Sequence, residues 1–197
     1  DAPISFNPFY TDDGFYSEDK KETLKTIILQ LWKRGKEADV SEDTTISSAL
    51  AKYIEYVKSG KYIPSFNTFY EFMRDDYGKN ELKSVREKEF DLENFLYVLL
   101  PYYKGGHYDY LLNSNMELDL LHKRFIVFEI DAVKENKVLF PIVTLVIMEA
   151  YLNKVRRLDG IRKVLLLEEA WKAIASESMA TYVHYLFKTV RKQFGEI

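Results

Sequence analysis

Apolar residues recur at helical spacing through the first half of the chain. Side chains three or four residues apart lie on one face of a helix, so each apolar stripe predicts a helix with one buried face. The first two stripes are Leu24, Ile27, Ile28, Leu31, Trp32 and then Ile46, Leu50, Tyr53, Ile54, Val57. The stretches "FNTFYEFMRDDYG" and "LENFLYVLL" predict two further helices. The residues that mark the ends of the four predicted helices are, in order, Ser17 and Gly35, Ser41 and Gly60, Pro64 and Gly78, Asp91 and Pro101.

The pattern changes after Gly105-Gly106. Short β-favouring runs at 124–130, "RFIVFEI", and 162–169, "RKVLLLEE", predict two buried strands. Helical patterns at 137–158 and 180–194 follow them in turn. Strand, buried helix, strand, helix is the order of a parallel sheet with crossover helices. The opening "ISFNPF" predicts one more strand that runs into a turn at Asn7-Pro8.

These patterns predict an α/β fold in three parts. Residues 1–16 would begin an α/β core, residues 17–104 would form a helical subdomain inserted into it, and residues 105–197 would complete the core. The longest apolar run, "VLFPIVTLVIMEAYL", is interrupted by Thr144 and Glu149. A bilayer span needs about 20 apolar residues, so this run predicts a buried helix.

Composition narrows the possible functions. The net charge is −3 and cysteine is absent. The chain therefore lacks the overall basic charge of many nucleic-acid-binding domains, although local basic pairs occur at Lys33-Arg34, Arg156-Arg157 and Arg191-Lys192. Disulfides and cysteine-ligated zinc sites are excluded. The chain opens on Asp1 and closes within a helical pattern, and we expect it to be part of a larger protein.

Two carboxylates, Glu168 and Glu169, directly follow the apolar run of the second strand. Successive strand residues point to opposite faces, which argues against a glycosidase-like pair facing one substrate. In P-loop NTPases, an acid at the end of such a strand helps to hold Mg²⁺, and a neighbouring acid orients the attacking water. Four apolar residues followed by two acids match this Walker B pattern. A buried strand that ends in a solvated acidic turn gives the same pattern.

The residues "LLLEEAWK" resemble the Walker B segment of the conjugative-transfer ATPases that energise type IV secretion. The resemblance is greatest to the TraG-type ATPases of conjugative transposons. Four other segments resemble that family in the same order along the chain: "ISFNPF", "GGHYDYLL", "RFIVFEI" and "LFKTVRKQFG". The resemblance implies a partial RecA-like P-loop NTPase core that carries a helical insertion.

The resemblance also implies roles for individual residues. Glu169 stands at the catalytic position and would polarise the water that attacks the γ-phosphate of ATP. Glu168 stands where the metal-assisting acid lies and would hold Mg²⁺ of Mg-ATP indirectly, through a water. Arg191 stands where an arginine could reach the nucleotide of a neighbouring subunit, although a solvated charge at a helix C-terminus is an equal alternative. Trp171 is expected to pack rather than to bind a ligand.

The family resemblance further implies the setting of the intact protein. It would use ATP and Mg²⁺, assemble as a hexamer, and work with other secretion components in the cytoplasm at the periphery of the inner membrane. Its transported cargo would be DNA or protein. Direct binding of nucleic acid is left open.

The phosphate-binding loop that such a site needs, G-x-x-x-x-G-K-[ST], is absent from residues 1–197. Each Gly-Lys pair lacks the following Ser or Thr: Gly35-Lys36, Gly60-Lys61 and Gly78-Lys79. We expect the loop to lie upstream of Asp1, so that residues 1–197 alone neither hold nucleotide tightly nor hydrolyse ATP. The three histidines, His107, His122 and His184, are not spaced as metal ligands.

Three alternatives remain from the sequence. The helical part could be a non-catalytic interaction module in which the acidic strand end is incidental. The chain could be a degenerate ATPase-like structural protein with no phosphate loop anywhere. A DNA-translocating motor of the coupling-protein type has a similar fold, although the acidic charge and the Glu-Glu-Ala-Trp turn favour the secretion ATPase.

Overall fold

Helices make up most of the computed structural model, which describes residues 5–11, 14–85, 88–114, 122–168, 177–191 and 195–197. The helices are α1 Glu18–Lys33, α2 Val40–Lys58, α3 Phe66–Phe72, α4 Gly78–Asn80, α5 Leu92–Leu99, α6 Leu139–Arg157 and α7 Glu177–Arg191. A π-helical turn, Met73–Tyr77, joins α3 to α4, and 3₁₀ turns occupy Leu82–Ser84 and Leu100–Tyr102. Two short strands, β1 Lys163–Val164 and β2 Gly195–Glu196, form a parallel pair. The six helical patterns in the sequence are therefore confirmed, and the third continues through the π-helical turn into α4.

The chain divides into two compact units, each of which is described here by itself. The first contains the described residues of the ranges 1–32 and 38–117, and the second those of 33–37 and 118–197. The predicted domain boundaries at residues 16 and 104 follow the chain order of the resembling family and stay a prediction. In the structure, residues 5–11 and 105–114 lie with the helices of the first unit.

Polar side chains define where the helices of the first unit begin. Asp39 caps α2, because its carboxylate accepts from the backbone N–H of Glu42 at 2.8 Å while the Glu42 carboxylate accepts from the N–H of Asp39 at 2.9 Å. Ser65 and Thr68 make the same reciprocal cap at the start of α3. Such a pair satisfies two of the backbone donors that every helix start leaves open.

An aromatic cluster fills the core of the first unit. Phe9 lies at its centre, fully buried, with ring centroids 5.9 Å from Tyr53, 6.2 Å from Phe66 and 5.6 Å from Phe69. Tyr53 is also fully buried, and burial raises the pKa of its hydroxyl, which lies 2.6 Å from the hydroxyl of Thr68. The density of aromatic residues in the helical part of the sequence therefore serves a core.

The Asn-Pro-Phe segment positions Phe9 in this core. The side chain of Asn7 accepts from the N–H of Phe9 at 3.1 Å and donates to the carbonyl of Pro64 at 2.9 Å. The backbone of Phe6 pairs with the carbonyl of Leu111 and the N–H of Ser114, each at 3.0 Å. The predicted strand here is limited to these two bonds and is not assigned as a strand in residues 5–7. Instead, hydrogen bonds from this segment hold it to Pro64, just before α3, and to residues 111–114.

The segment after Gly105-Gly106 is held to the helices by amide side chains. Asn113 accepts from the N–H of Asn67 at 2.8 Å and donates to the carbonyl of Asp109 at 2.7 Å. Asn67 in turn accepts from the N–H of Lys104 at 3.0 Å. The "GGHYDYLL" motif is thus part of the structure of the first unit.

Replacing Gly106 by alanine is expected to destabilise the first unit by about 1–3 kcal/mol. A Cβ atom at Gly106 would lie 2.4 Å from the carbonyl oxygen of Pro101, a backbone atom that cannot turn away. Chemical denaturation of Gly106→Ala measures the loss. Lys104→Ala is the matched control, because the exposed side chain is removed and its backbone bond is kept. Equal stability of the two variants would contradict the expected contact.

The second unit packs α6 and α7 beside the two strands. Leu139–Met148 of α6 are buried except for Pro141, which matches the all-round apolar pattern predicted for a buried helix. α7 buries one stripe of its surface: Met179, Tyr182, Leu186 and Val190. No helix in the described part of the chain is long and apolar enough to cross a membrane.

The strand predictions for this unit need correction. Residues 125–130 alternate in exposure as an extended chain does, but Phe125 and Val127 are 86% and 70% exposed, and the segment belongs to no strand ladder among the described residues. The predicted strand 162–169 is assigned only at Lys163–Val164, and Val164 and Leu166 on one of its faces are 64% and 80% exposed. Parallel strands become buried only when helices cover both faces and neighbouring strands pair along both edges. β2 was not predicted, because Gly195–Glu196 follows a helical pattern without a β-favouring run.

Candidate active site

The parallel pairing of β1 and β2 shows at which edge of the sheet Glu168 lies. Lys163 pairs with Gly195 and Val164 with Glu196, and the N–H of Leu165 donates to the carbonyl of Glu196 at 2.9 Å. Both strands therefore run the same way, and the chain leaves β1 toward Glu168 at the carboxyl edge of the sheet. The sequence predicted a parallel sheet, and the pair observed among the described residues is parallel, although β2 was not one of the predicted strands.

Tyr151 of α6 fixes the two strands side by side. Its hydroxyl lies 3.2 Å from the carbonyl of Lys163 and 3.0 Å from the carbonyl of Glu196, so the two carbonyls share its single proton. Burial raises the pKa of this hydroxyl above its ordinary value, at which it is already protonated at neutral pH. One side chain thus satisfies carbonyls on both strands.

Gly195 makes the close approach of β2 to its neighbours possible. A Cβ atom there would lie 2.2 Å from Cγ1 of Val190 and 3.1 Å from the hydroxyl of Tyr151. Any other residue would push β2 away from α7 and from Tyr151. An exposed ion pair between Arg162 and Glu196, at 2.8 Å, adds to the same edge, and Arg162 lowers the pKa of Glu196.

Glu168 lies where the sequence predicted an acid at the end of an apolar run. It is exposed, in a turn that follows the extended residues 165–167. Its carboxylate can therefore meet a hydrated ligand at the carboxyl edge of the strand pair, where ligands bind in open α/β sheets. Glu169 and Trp171 lie outside the described residues.

Arg191 is the last residue of α7 and is exposed. The end of α7 lies at the start of β2, since a Cβ atom at Gly195 would lie 2.2 Å from Cγ1 of Val190. Arg191 and Glu168 therefore lie at opposite edges of the strand pair, and the structure does not bring them together.

The described side chains fit an indirect role toward a metal ion. They contain no group of three or more His, Cys, Asp or Glu residues that could hold a metal by themselves. Magnesium in ATPases keeps several waters and is bound through one or two carboxylates together with substrate phosphates. A single exposed carboxylate such as Glu168 fits that mode. His107, His122 and His184 belong to no such group.

The sequence did not identify Tyr151, Gly195 or Arg162, whose contacts hold the two strands together and close to α7. Tyr151 is one polar-tipped side chain in a nearly all-apolar helix, and its partners are backbone carbonyls distant in the sequence. Gly195 lies just after a helix, where a glycine ordinarily marks only the helix end. The pairing of Arg162 with Glu196 needs the strand register, which the sequence does not give.

The parallel strand pair, α7 between its two strands and the acid after β1 are features of an α/β fold with parallel strands. The model of one family, the TraG P-loop domain, matches residues 1–197. The chain belongs to this family of type IV secretion and conjugation ATPases.

Structural comparison agrees with that assignment at the level of the fold. The structure of VirB4 of Thermoanaerobacter pseudethanolicus superposes with a TM-score of 0.65 at 18% sequence identity. The match covers 98% of this chain and 72% of the VirB4 chain. No curated protein sequence matches the chain significantly.

Proposed function

We propose that residues 1–197 supply the Walker B acids and the helical insertion of an ATPase that couples ATP binding and hydrolysis to DNA or protein transfer. The observation that carries the proposal is the position of Glu168, exposed at the carboxyl edge of β1 in a chain that the TraG P-loop domain matches throughout. The RecA-like core is part of this proposal, with β1 and β2 as two of its strands.

The two acids have separate roles in the proposed site. Glu169 acts on the attacking water, which it orients and whose proton it accepts. Glu168 holds a water of the Mg²⁺ shell, because a glutamate at the strand end is exposed and long enough to reach a hydrated ion. Mg-ATP, when bound, supplies the γ-phosphoryl group that the water attacks.

The phosphate cradle of the site is proposed to lie outside residues 1–197. The Gly-Lys pairs within the chain lack the required motif, and Gly35 and Gly60 have left-handed backbone conformations, with φ of 87° and 72°. The VirB4 chain extends beyond the matched region, which covers 72% of it. A relative of this size has room for further strands and a phosphate loop.

Self-association is proposed to complete the site between subunits. Arg191 ends α7 near the edge where β2 begins, and its distance in the fold from Glu168 supports a contact with the nucleotide of a neighbouring subunit. A ring, which we propose to be a hexamer, places such an arginine against each nucleotide. The proposed location is the cytoplasmic periphery of the inner membrane, among other components of a conjugative-transposon secretion machine.

Two preparations test the proposal. Residues 1–197 alone are expected to show no ATP turnover above that of their own Glu169→Gln variant. The native reading frame, extended upstream, is expected to contain G-x-x-x-x-G-K-[ST] after an apolar strand and to hydrolyse ATP. Turnover by residues 1–197 above the control would contradict the placement of the loop. An upstream sequence without the loop would contradict the ATPase function and favour a structural role.

A further inference from the structure

β1 and β2 form a short strand pair directly before Glu168. Each strand contributes two residues, and the pairing is parallel, which is slightly less stable per residue than antiparallel pairing. The N–H of Leu165 extends the pair by one bond, to the carbonyl of Glu196 at 2.9 Å. Two paired strands alone are marginally stable at best in water. The position of the chain after β1 therefore depends on contacts from outside the two strands.

Tyr151 supplies such a contact from α6. Its hydroxyl lies within hydrogen-bond distance of the Lys163 carbonyl in β1 and of the Glu196 carbonyl in β2. The helix on either side of it is held in place, because Leu152 and Val155 are buried. The phenol ring is also a stiff arm, since only two torsions orient it. The hydroxyl is thus a fixed point against which both strands are held.

The two carbonyls lie at the two ends of one chain segment. The chain leaves β1 at Val164, passes Glu168 and Glu169, forms α7 and comes back to β2 at Gly195. Tyr151 therefore ties the start of this segment to its end. Glu168 follows Val164 by only four residues, so a shift of β1 against β2 would be carried to the acidic strand end.

The contact with Tyr151 requires a close approach of β2 to α6. A Cβ atom at Gly195 would lie 3.1 Å from the hydroxyl of Tyr151, and glycine leaves this space open. The hydroxyl and the carbonyl of Glu196 can therefore come within 3.0 Å of each other. The phenol in a nearly all-apolar helix and the glycine in the facing strand thus belong to one arrangement.

We propose that Tyr151 is a positioning residue for ATP hydrolysis. By holding β1 against β2, it sets the place of the acidic strand end, and so of the carboxylates that act on the attacking water and on the Mg²⁺ shell. The inference rests on the proposed function and adds to it a residue that acts through the strands and not on the nucleotide. A misplacement of about 1 Å by a change far from the chemistry can cost about 10²-fold in rate.

Tyr151→Phe in the full reading frame tests the positioning role, because it keeps the ring and removes only the hydroxyl. We expect kcat for ATP hydrolysis to fall about tenfold with KM for ATP within about twofold of wild type, since misplaced acids weaken the transition state and not nucleotide binding. Hydrogen exchange of the Leu165 amide, which donates across the strand pair, should become about tenfold faster. Tyr97→Phe is the matched control, because Tyr97 is 76% exposed and its hydroxyl bonds to none of the described residues.

Gly195→Ala provides a second test at the same contact. The added Cβ atom would displace β2 from the hydroxyl of Tyr151, so we expect a lower kcat and faster exchange of the Leu165 amide here too. In the double variant the two losses of kcat should not add, because both substitutions break the same contact. Losses that add in full would show that the two residues act independently and would contradict the positioning role of the contact.

These measurements separate the possible failures. A wild type without ATP turnover would contradict the proposed function, and the positioning role would fall with it. An active wild type beside an unchanged kcat in Tyr151→Phe would overturn the positioning role alone, whether or not the Leu165 amide exchanges faster. A rise in KM in place of a fall in kcat would place Tyr151 in nucleotide binding and would also overturn the positioning role.

Discussion

Glu169→Gln in the full reading frame is expected to lower ATP turnover by about 10²- to 10⁴-fold. The substitution keeps the size of the side chain but removes the carboxylate that accepts the proton of the attacking water. Nucleotide binding should persist, because the phosphates are held by the loop and by Mg²⁺ and not by this residue. Steady-state hydrolysis, together with fluorescent-nucleotide binding, measures the two quantities separately.

Glu168→Gln is the matched control for that experiment. Its expected effect is a higher Mg²⁺ requirement, because a neutral amide holds a water of the Mg²⁺ shell less well than a carboxylate does. Turnover should recover in excess Mg²⁺ for Glu168→Gln and stay low for Glu169→Gln. If the two variants behave in the opposite way, the roles of the two acids are exchanged. If neither changes turnover, the acidic strand end is incidental.

Phe9→Ala is expected to destabilise the first unit by about 3–5 kcal/mol. The ring is fully buried and touches the rings of Tyr53, Phe66 and Phe69, so its removal leaves a cavity among side chains from α2 and α3. The turn at Asn7, whose side chain accepts from the N–H of residue 9, would then no longer place a ring in the core. Urea denaturation followed by tryptophan fluorescence reports the change, because Trp32 lies in the same unit.

Phe15→Ala is the control for the cavity. Phe15 lies in the same N-terminal stretch but is 68% exposed, so its truncation should change stability by less than about 0.5 kcal/mol. An equal loss from both variants would show that the segment, and not the packing of Phe9, determines stability. A loss of less than about 1 kcal/mol from Phe9→Ala would show that the helices close over the missing ring.

The helices could be predicted because their signals are local. Asp91 caps α5 through the N–H of Asn94 at 2.8 Å, and the stripe Ile46 to Val57 is buried as its spacing required. The strands could not be predicted at the same quality, because a strand is completed by a neighbour. Residues 124–130 have the composition of a core strand but lack a ladder partner among the described residues. The sequence pattern identifies strand-forming composition and leaves the pairing open.

The residues of the candidate site also differ in whether the sequence could predict them. Glu168 was found because an apolar run that ends in acids is a contiguous signal. Tyr151 was not found, since its two carbonyl partners lie 12 and 45 residues away. The opposite positions of Arg191 and Glu168 also followed only from the parallel register. Contiguous motifs indicate which chemistry to expect, and the strand register shows at which edge of the strand pair each residue lies.

α7 has a mechanical consequence in the proposed assembly. It is a rod of 15 residues, about 22 Å long, that begins after the acidic strand end and finishes at Arg191. Its buried stripe holds it as one piece, so a displacement at its first turn is carried to its last. In the proposed ring, a shift of the strand end on loss of the γ-phosphate in one subunit would move Arg191, which we propose to reach the nucleotide of the next subunit. In that ring, α7 would couple hydrolysis in one subunit to the site of the next.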